Sequence, residues 1–238
     1  MGFNFISSSV SHIGHVRPHN EDAFLEKQES GLWVVADGMG GHEAGDFASQ
    51  LIIDTLDKLE KSHHSESFTE DIKSALYSVN THLIQLGEKH DRINGSTAVV
   101  MLINGHQCDY LWAGDSRLYR LRENELVQLT RDHSQAEIYV ELGMITREEA
   151  SQHVSANLLT RCIGTDDDLQ LESGSCDIQV GDRYLLSSDG LDKHVAHKDI
   201  ERTLIDHGRD EALNQLIGMT LDNGGTDNVT ITIVDIMD

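Results

Sequence analysis

Apolar runs that stop dead at an acidic residue constrain this chain more than any other feature of it. Leu32-Trp33-Val34-Val35-Ala36 ends at Asp37-Gly38, and Tyr184-Leu185-Leu186-Ser187-Ser188 ends at Asp189-Gly190. A short apolar run bounded by a glycine turn reads as a buried strand. Asp115 follows Tyr110-Leu111-Trp112-Ala113-Gly114 in the same way, and Asp227 sits in Gly224-Gly225-Thr226-Asp227-Asn228, the segment immediately before Val229-Thr230-Ile231-Thr232-Ile233. In a chain with 41 acids most of them are solvated surface. An acid at the end of a core strand is instead held rigidly and partly buried. Several such acids brought together repel unless cations sit between them.

Around these runs the periodicity predicts a series of strands and helices. Helical spacing recurs over 48–59, 72–86, 199–205 and 211–221, and strands are expected at 97–103, 108–112, 118–121, 126–129, 184–187 and 229–234. Asn104-Gly105 is a hairpin signal. Strands come in runs, without strict βαβ alternation, so the fold class is α+β with antiparallel sheets and helices packed outside. No linker or repeat divides the chain, and we expect one domain over residues 1–238. Residues 132–156 are polar, with short helical patterns at 136–142 and 147–153 broken at Gly143. Inserted among strands, they read as a flap over a site or as a surface excursion. Trp33 and Trp112 lie in apolar runs and read as core.

Charge narrows the function. Eighteen Lys and Arg against 41 Asp and Glu leave −23, with no basic footprint for nucleic acid and no basic amphipathic stretch for an anionic membrane. The opening residues lack a signal-peptide pattern, Ile6 breaks the myristoylation pattern, and no apolar run of about 18 residues could cross a bilayer. Cys108, Cys162 and Cys176 are scattered and read as free thiols of a reducing compartment. A cytoplasmic monomer is expected.

Carboxylates and backbone carbonyls are hard ligands that suit Mg²⁺ or Mn²⁺. Gly38, without a side chain, would let its own carbonyl approach a metal. Zinc fits less well: no H-E-x-x-H occurs, His42-Glu43 runs on to Gly45-Asp46, and His63-His64 reads as surface. Arg17-Pro18-His19-Asn20-Glu21-Asp22 joins one planar cation, able to fork onto a pair of phosphate oxygens, to two acids. Other phosphate chemistries fail on the letters. Six residues beyond the cysteines stand Gly114, Asp168 and Asp182, not the Arg of C-x₅-R, and Asp166-Asp167-Asp168-Leu169-Gln170 breaks D-x-D-x-[TV]. Asp37-Gly38-Met39 is not D-x-H, and no P-loop is present.

Taken in order, Arg17…Asn20-Glu21-Asp22, Asp37-Gly38-Met39-Gly40-Gly41-His42, Gly95-Ser96-Thr97, Ala113-Gly114-Asp115-Ser116-Arg117, Leu129-Thr130-Arg131-Asp132-His133-Ser134, Leu159-Thr160-Arg161, Ser188-Asp189-Gly190 and Gly225-Thr226-Asp227-Asn228 resemble the PP2C-type (PPM family) metal-dependent Ser/Thr protein phosphatases. The match runs from about residue 10 to 235 and is nearest the compact bacterial stand-alone members. The resemblance implies a central sandwich of two antiparallel sheets flanked by helix pairs, with the metal site at one end. It implies that Asp37 bridges two ions, that the Gly38 carbonyl serves the first, and that Asp189 and Asp227 serve the second. Glu21 and Asp22 should hold metal-bound water, Asp115 should bind a weaker third ion, and Arg17 should bind phosphate. The segment 132–156 falls where the bacterial relatives carry their flap.

The implied reaction is hydrolysis of phosphoserine or phosphothreonine by in-line attack of a metal-bridging hydroxide, the charge being stabilised by Mn²⁺ or Mg²⁺. The implied partners are phosphorylated proteins and a Ser/Thr kinase that the enzyme opposes. Many eukaryotic members have His where this chain has Met39, so the general acid stays open between His42 and a metal-held water. Arg161 either touches substrate near the flap or forms a structural salt bridge. The alternative of another class is a catalytically silent phosphoprotein-binding or scaffold relative. Such a protein should have lost metal acids, whereas Asp37, Asp189 and Asp227 are all present.

Overall fold

The computed structural model describes residues 3–41, 43–61, 65–150, 153–155 and 158–238. His42, His63 and His64 lie outside these, so the expectations attached to them are not addressed. The first sheet holds β1 (Asn4–His12), β7 (Arg117–Arg122), β8 (Glu125–Gln128), β10 (Arg183–Ser187) and β11 (Val229–Met237), in the order β1-β11-β10-β7-β8. The second runs β2-β3-β5-β6-β9, from β2 (Asp22–Lys27), β3 (Leu32–Met39), β5 (Ala98–Asn104), β6 (Gln107–Ala113) and β9 (Glu172–Asp177), with β4 (Gly95–Ser96) paired to the end of β3. Every pairing is antiparallel.

The unbroken apolar runs are explained by burial on both faces. In β3, Leu32, Val34 and Ala36 pack under α1 (Glu43–Asp57) and α2 (Ser65–His90), against Ile52, Leu56, Ile72, Leu76 and Leu83. Trp33 and Val35 point the other way, into the space between the sheets, with Val99, Met101, Tyr184 and Leu186. Trp112 joins the same inter-sheet core. A third layer of apolar contacts lies outside the first sheet, where Val229, Ile231 and Ile233 meet α6 (His197–Asp206) and α7 (Arg209–Asp222) through Ile200, Leu204, Leu213 and Leu216. The result is the helix–sheet–sheet–helix sandwich expected from the resemblance. Among the described residues no helix is long and apolar enough to cross a membrane.

Strands β1, β2 and β9 carry none of the apolar-run signal, and all three lie at sheet edges. An edge strand has only one neighbour and tolerates polar side chains. Strand β1 is serine-rich because its hydroxyls serve its partner: Ser9 and Ser11 pair with Thr232 and Thr230 at 2.7 and 2.8 Å. The alternating Val-Thr-Ile-Thr-Ile of β11 is therefore buried on its threonine face too. Residues 132–156 hold α3 (Gln135–Glu141) and α4 (Arg147–Ala150). The turn after β10 is itself a single helical turn, α5 (Asp189–Asp192), which starts on the acid that ends the run.

Two glycines permit close backbone approaches at this end of the sandwich. A Cβ at Gly190 would stand 1.9 Å from the Asn228 carbonyl oxygen, and one at Gly38 would stand 2.1 Å from that of Gly45. The missing side chain of Gly38 thus admits the backbone of α1, a role separate from the carbonyl approach expected above. Gly190→Ala should lower the unfolding free energy by about 1–3 kcal/mol through forced displacement of the β11 entry. Urea denaturation measures this, and an unchanged midpoint would show that the Asn228 backbone yields freely.

Candidate metal centre

Antiparallel pairing brings the carboxyl ends of β3, β6 and β10 and the amino ends of β2 and β11 to one end of the sandwich. Asp22 stands opposite Asp37 in the β2–β3 register. Asp115 follows β6 on the turn at Gly114, Asp189 follows β10, and Asp227 lies two residues before β11. The acids expected from the sequence, from β2 to the entry of β11, are therefore gathered here.

Their electrostatics are those of crowded, buried carboxylates. Burial, then the charges of Asp22, Asp189, Asp115 and Asp227, push Asp37 well above the usual carboxylate range. Asp115 is pushed up by burial and by Asp189, Asp132 and Asp192, with Lys193 opposing. Burial raises Asp189 as well, against the pull of Lys193. Asp22 is pushed up to about 7, mainly by burial, although its Oδ2 accepts a 2.7 Å bond from the Ser188 hydroxyl. Burial also works against Asp227, yet Lys193 and Arg17 hold it below the usual value.

Neutral hydrogen bonds fix the turns that carry the acids. The Asp37 N–H donates to Thr97 Oγ1 at 3.0 Å, and the Thr97 and Ser116 hydroxyls are 2.7 Å apart. Ser116 thus braces the Asp37 end of β3. His133 does the same for Asp115: its Nδ1 accepts from the Gly114 N–H at 3.1 Å, and its backbone N–H donates to the Gly114 carbonyl. Asn228 ties down the Arg17 loop, donating to the carbonyls of Ile13 and His19 and accepting from the Glu21 N–H. The Glu21 carboxylate lies against α1, with Oε2 only 2.6 Å from where a Cβ on Gly45 would stand. Arg117, the first residue of β7, clamps Asp132 bidentately and reaches Asp192 at 3.0 Å. Arg161 pairs with Glu172 at 2.8 Å, the salt-bridge alternative of the two read from the sequence.

The two cations of the site both face Asp227. Arg17, whose side chain is 52% exposed, forks onto it through Nε at 2.8 Å and Nη2 at 3.0 Å. Lys193 Nζ lies 2.9 Å from Asp227 Oδ2 and 2.5 Å from Asp189 Oδ2. Sequence reading missed Lys193; its only signal is its place four residues after Asp189. With Asp227 so engaged, no three carboxylates, imidazoles or thiols among the described residues already stand in ligand geometry.

Divalent metal nonetheless fits the residues present. The donors are carboxylate oxygens with a glycine carbonyl beside them, hard ligands of the kind Mg²⁺ and Mn²⁺ take. Asp22 Oδ1 and Asp189 Oδ1 are buried without a hydrogen-bond partner, and the mutual repulsion calls for positive charge.

Residues 10–221 match the family model "Protein phosphatase 2C". The serine/threonine protein phosphatase PstP of Mycobacterium tuberculosis is 34% identical over 227 residues, which is 94% of this chain but 44% of the relative; the chain thus spans less than half the length of that protein. Among solved structures, PppA, a key regulatory component of T6SS in Pseudomonas aeruginosa, superposes with a TM-score of 0.92 at 37% identity, covering 99% of both chains. The catalytic domain of PstP in complex with two manganese ions superposes with a TM-score of 0.87 at 33% identity, covering 99% of this chain and 100% of that one.

The raised carboxylates set a pH dependence for the metal-free protein. An unfolded Asp titrates near ~3.9, whereas folded Asp22 is pushed up to about 7. The folded state then holds a proton that the unfolded chain releases, so this contribution is full below about pH 4 and is lost as pH rises through about 7. In chelator the melting temperature of the wild type should fall across that window more steeply than that of Asp22→Asn, which keeps the shape without the ionisation. Parallel slopes would show that Asp22 is not a proton holder.

Proposed function

Because this chain belongs to the protein phosphatase 2C family, we propose that it is a metal-dependent protein serine/threonine phosphatase acting in the cytoplasm on phosphorylated proteins, opposite a Ser/Thr kinase. The observation that carries the reading is the convergence of Asp37, Asp189 and Asp227, from three separate strand ends, on one crowded acidic site. Asp37 and the Gly38 carbonyl, with Asp189 and Asp227, would hold two divalent ions, and Asp115 a weaker third. Glu21 and Asp22 would orient the water around them. When bound, such ions supply positive charge to the phosphoryl oxygens and make water acidic enough to attack near neutral pH.

The chain's own residues do the rest by position. Arg17 stands on the exposed rim with a planar fork that matches two non-bridging phosphate oxygens once it leaves Asp227. Ser116 and His133 keep the Asp37 and Asp115 turns from relaxing apart. We read 132–156 as a flap beside the site. Its described part exposes Leu142 and Met144, and Arg117 anchors its root through Asp132.

Hydrolysis of p-nitrophenyl phosphate and of a phosphothreonine peptide, with Mn²⁺, Mg²⁺ or chelator, tests the reading. Chelator should abolish turnover, and Asp189→Ala should lower kcat/KM by at least about 100-fold, no less than the loss of a supporting metal contact. Asp115→Ala should lower turnover while calorimetry still finds two ions. Turnover without metal, or full activity in Asp189→Ala, contradicts the mechanism. Failure to hydrolyse either substrate with any divalent ion would instead favour a phosphoprotein-binding role.

A further inference from the structure

Lys193 has no need to be where it is. It caps the carboxyl end of α5, its backbone N–H bonded to the Asp189 carbonyl at 3.0 Å, and the residue as a whole is exposed. A lysine in such a place ordinarily runs its ammonium into water, where an ion pair contributes little. Here the side chain folds back over its own turn and is only 23% exposed. Its ammonium bridges two carboxylates that arrive on different strand ends, Asp189 Oδ2 at 2.5 Å and Asp227 Oδ2 at 2.9 Å. Arg17 also reaches Asp227, but from the exposed rim; of the two cations, Lys193 is the one that spans the pair.

We propose that Lys193 is a resident cation at the Asp189–Asp227 pair, which a divalent ion must displace in order to bind there. The inference rests on the metal-dependent reading of the site. An ammonium and a divalent ion cannot share the same carboxylate oxygens at contact distance, since two positive charges so close repel strongly. The flexible four-carbon stem lets the charge swing out with no change to the backbone. Occupation at this pair therefore costs two ion pairs that a neutral side chain at 193 would not impose. It lowers metal affinity at one position and leaves the metal-free protein held together by its own charge. Residue 193 thereby sets the metal concentration at which the pair fills.

Calorimetric titration of Mn²⁺ into metal-stripped wild type, Lys193→Met and Lys193→Gln reads this directly, with melting temperature in chelator and in saturating Mn²⁺ as the second measurement. Both variants should bind Mn²⁺ at least tenfold more tightly at one site. They should melt below wild type in chelator and gain more than wild type from Mn²⁺. The Asp189→Ala background should abolish the gain in affinity. Unchanged affinity with a lower melting temperature in both conditions would reduce Lys193 to a structural ion pair and overturn the proposal. Unchanged affinity with weaker inhibition by inorganic phosphate would make it a phosphate contact and overturn it equally. If Mn²⁺ binds neither wild type nor the variants, the metal centre itself is wrong. If Mn²⁺ binds wild type and Asp189→Ala weakens it, but Lys193→Met and Lys193→Gln change nothing, only the role of Lys193 is lost.

Discussion

Repulsion among carboxylates at one end of the sandwich is the constraint that the surrounding structure answers. Asp22, Asp37, Asp115, Asp189 and Asp227 each feel at least one of the others, and four of the five are driven toward protonation. Left to relax, such a cluster would pull strand ends apart or fill with water. The strand ends stay together, because uncharged partners pin the segments that carry four of these acids: Thr97 and Ser116 behind Asp37, His133 behind Gly114 and Asp115, Ser188 on Asp22, and Asn228 beside Asp227. Those partners neutralise nothing. They hold the acids in place against their own field, so that cations, not rearrangement, become the cheapest relief.

The three apolar layers make that possible. Because β3 is buried on both faces, Asp37 is attached to a closely packed strand, with Trp33 and Val35 in the inter-sheet core and Val34 and Ala36 under the helices. The same holds for β10 and β11, whose residues face α6 and α7 on one side and the other sheet on the opposite side. The close passage of Gly190 past Asn228 then ties the start of α5 to the entry of β11. The distance between Asp189 and Asp227 is thus a property of the sandwich and not of a loose loop.

Much of this was legible in the letters for a physical reason: strands buried on both faces cannot hide their composition. Leu32–Ala36 and Tyr184–Ser187 announced themselves, and so did the acids that end them. Three of the edge strands kept silent, since one-sided pairing lets β1 read as serine and β9 as Glu-Ser-Gly-Ser-Cys-Asp, whereas edge strand β8 was legible at 126–129. The two-sheet sandwich came from the family resemblance, and the strand order only from the structure, because periodicity carries no information on which strands pair. The residues around the acids divide in the same way. Arg17, Glu21 and Asp22 were found through the motif that contains them, while the support by Ser116, His133 and Asn228 depends on contacts between segments up to 215 residues apart, as Asn228 and Ile13 are. Lys193 was invisible because a lysine four residues after an aspartate is an ordinary helix-surface pair until a second carboxylate arrives from β11.

Charge at the site also bears on how many ions the proposed function would need. Glu21, Asp22, Asp37, Asp115, Asp189 and Asp227 carry −6 when ionised, and Arg17 and Lys193 return +2, leaving −4. A phosphate dianion approaching a protein of net charge −23 meets that field at its strongest. Counting these eight groups alone, one divalent ion would leave −2, still repulsive, two would bring the sum to zero, and a third at Asp115 would make it +2; Arg117, Asp132 and Asp192 beside them add a further −1 when ionised. A long-range field that turns phosphate away draws divalent cations in, so for the proposed function the acidic surface and the acidic site would act in the same order: metals first, then substrate. A displaceable lysine across Asp189 and Asp227 would sharpen that order, since its single charge holds the pair without making the site attractive to phosphate.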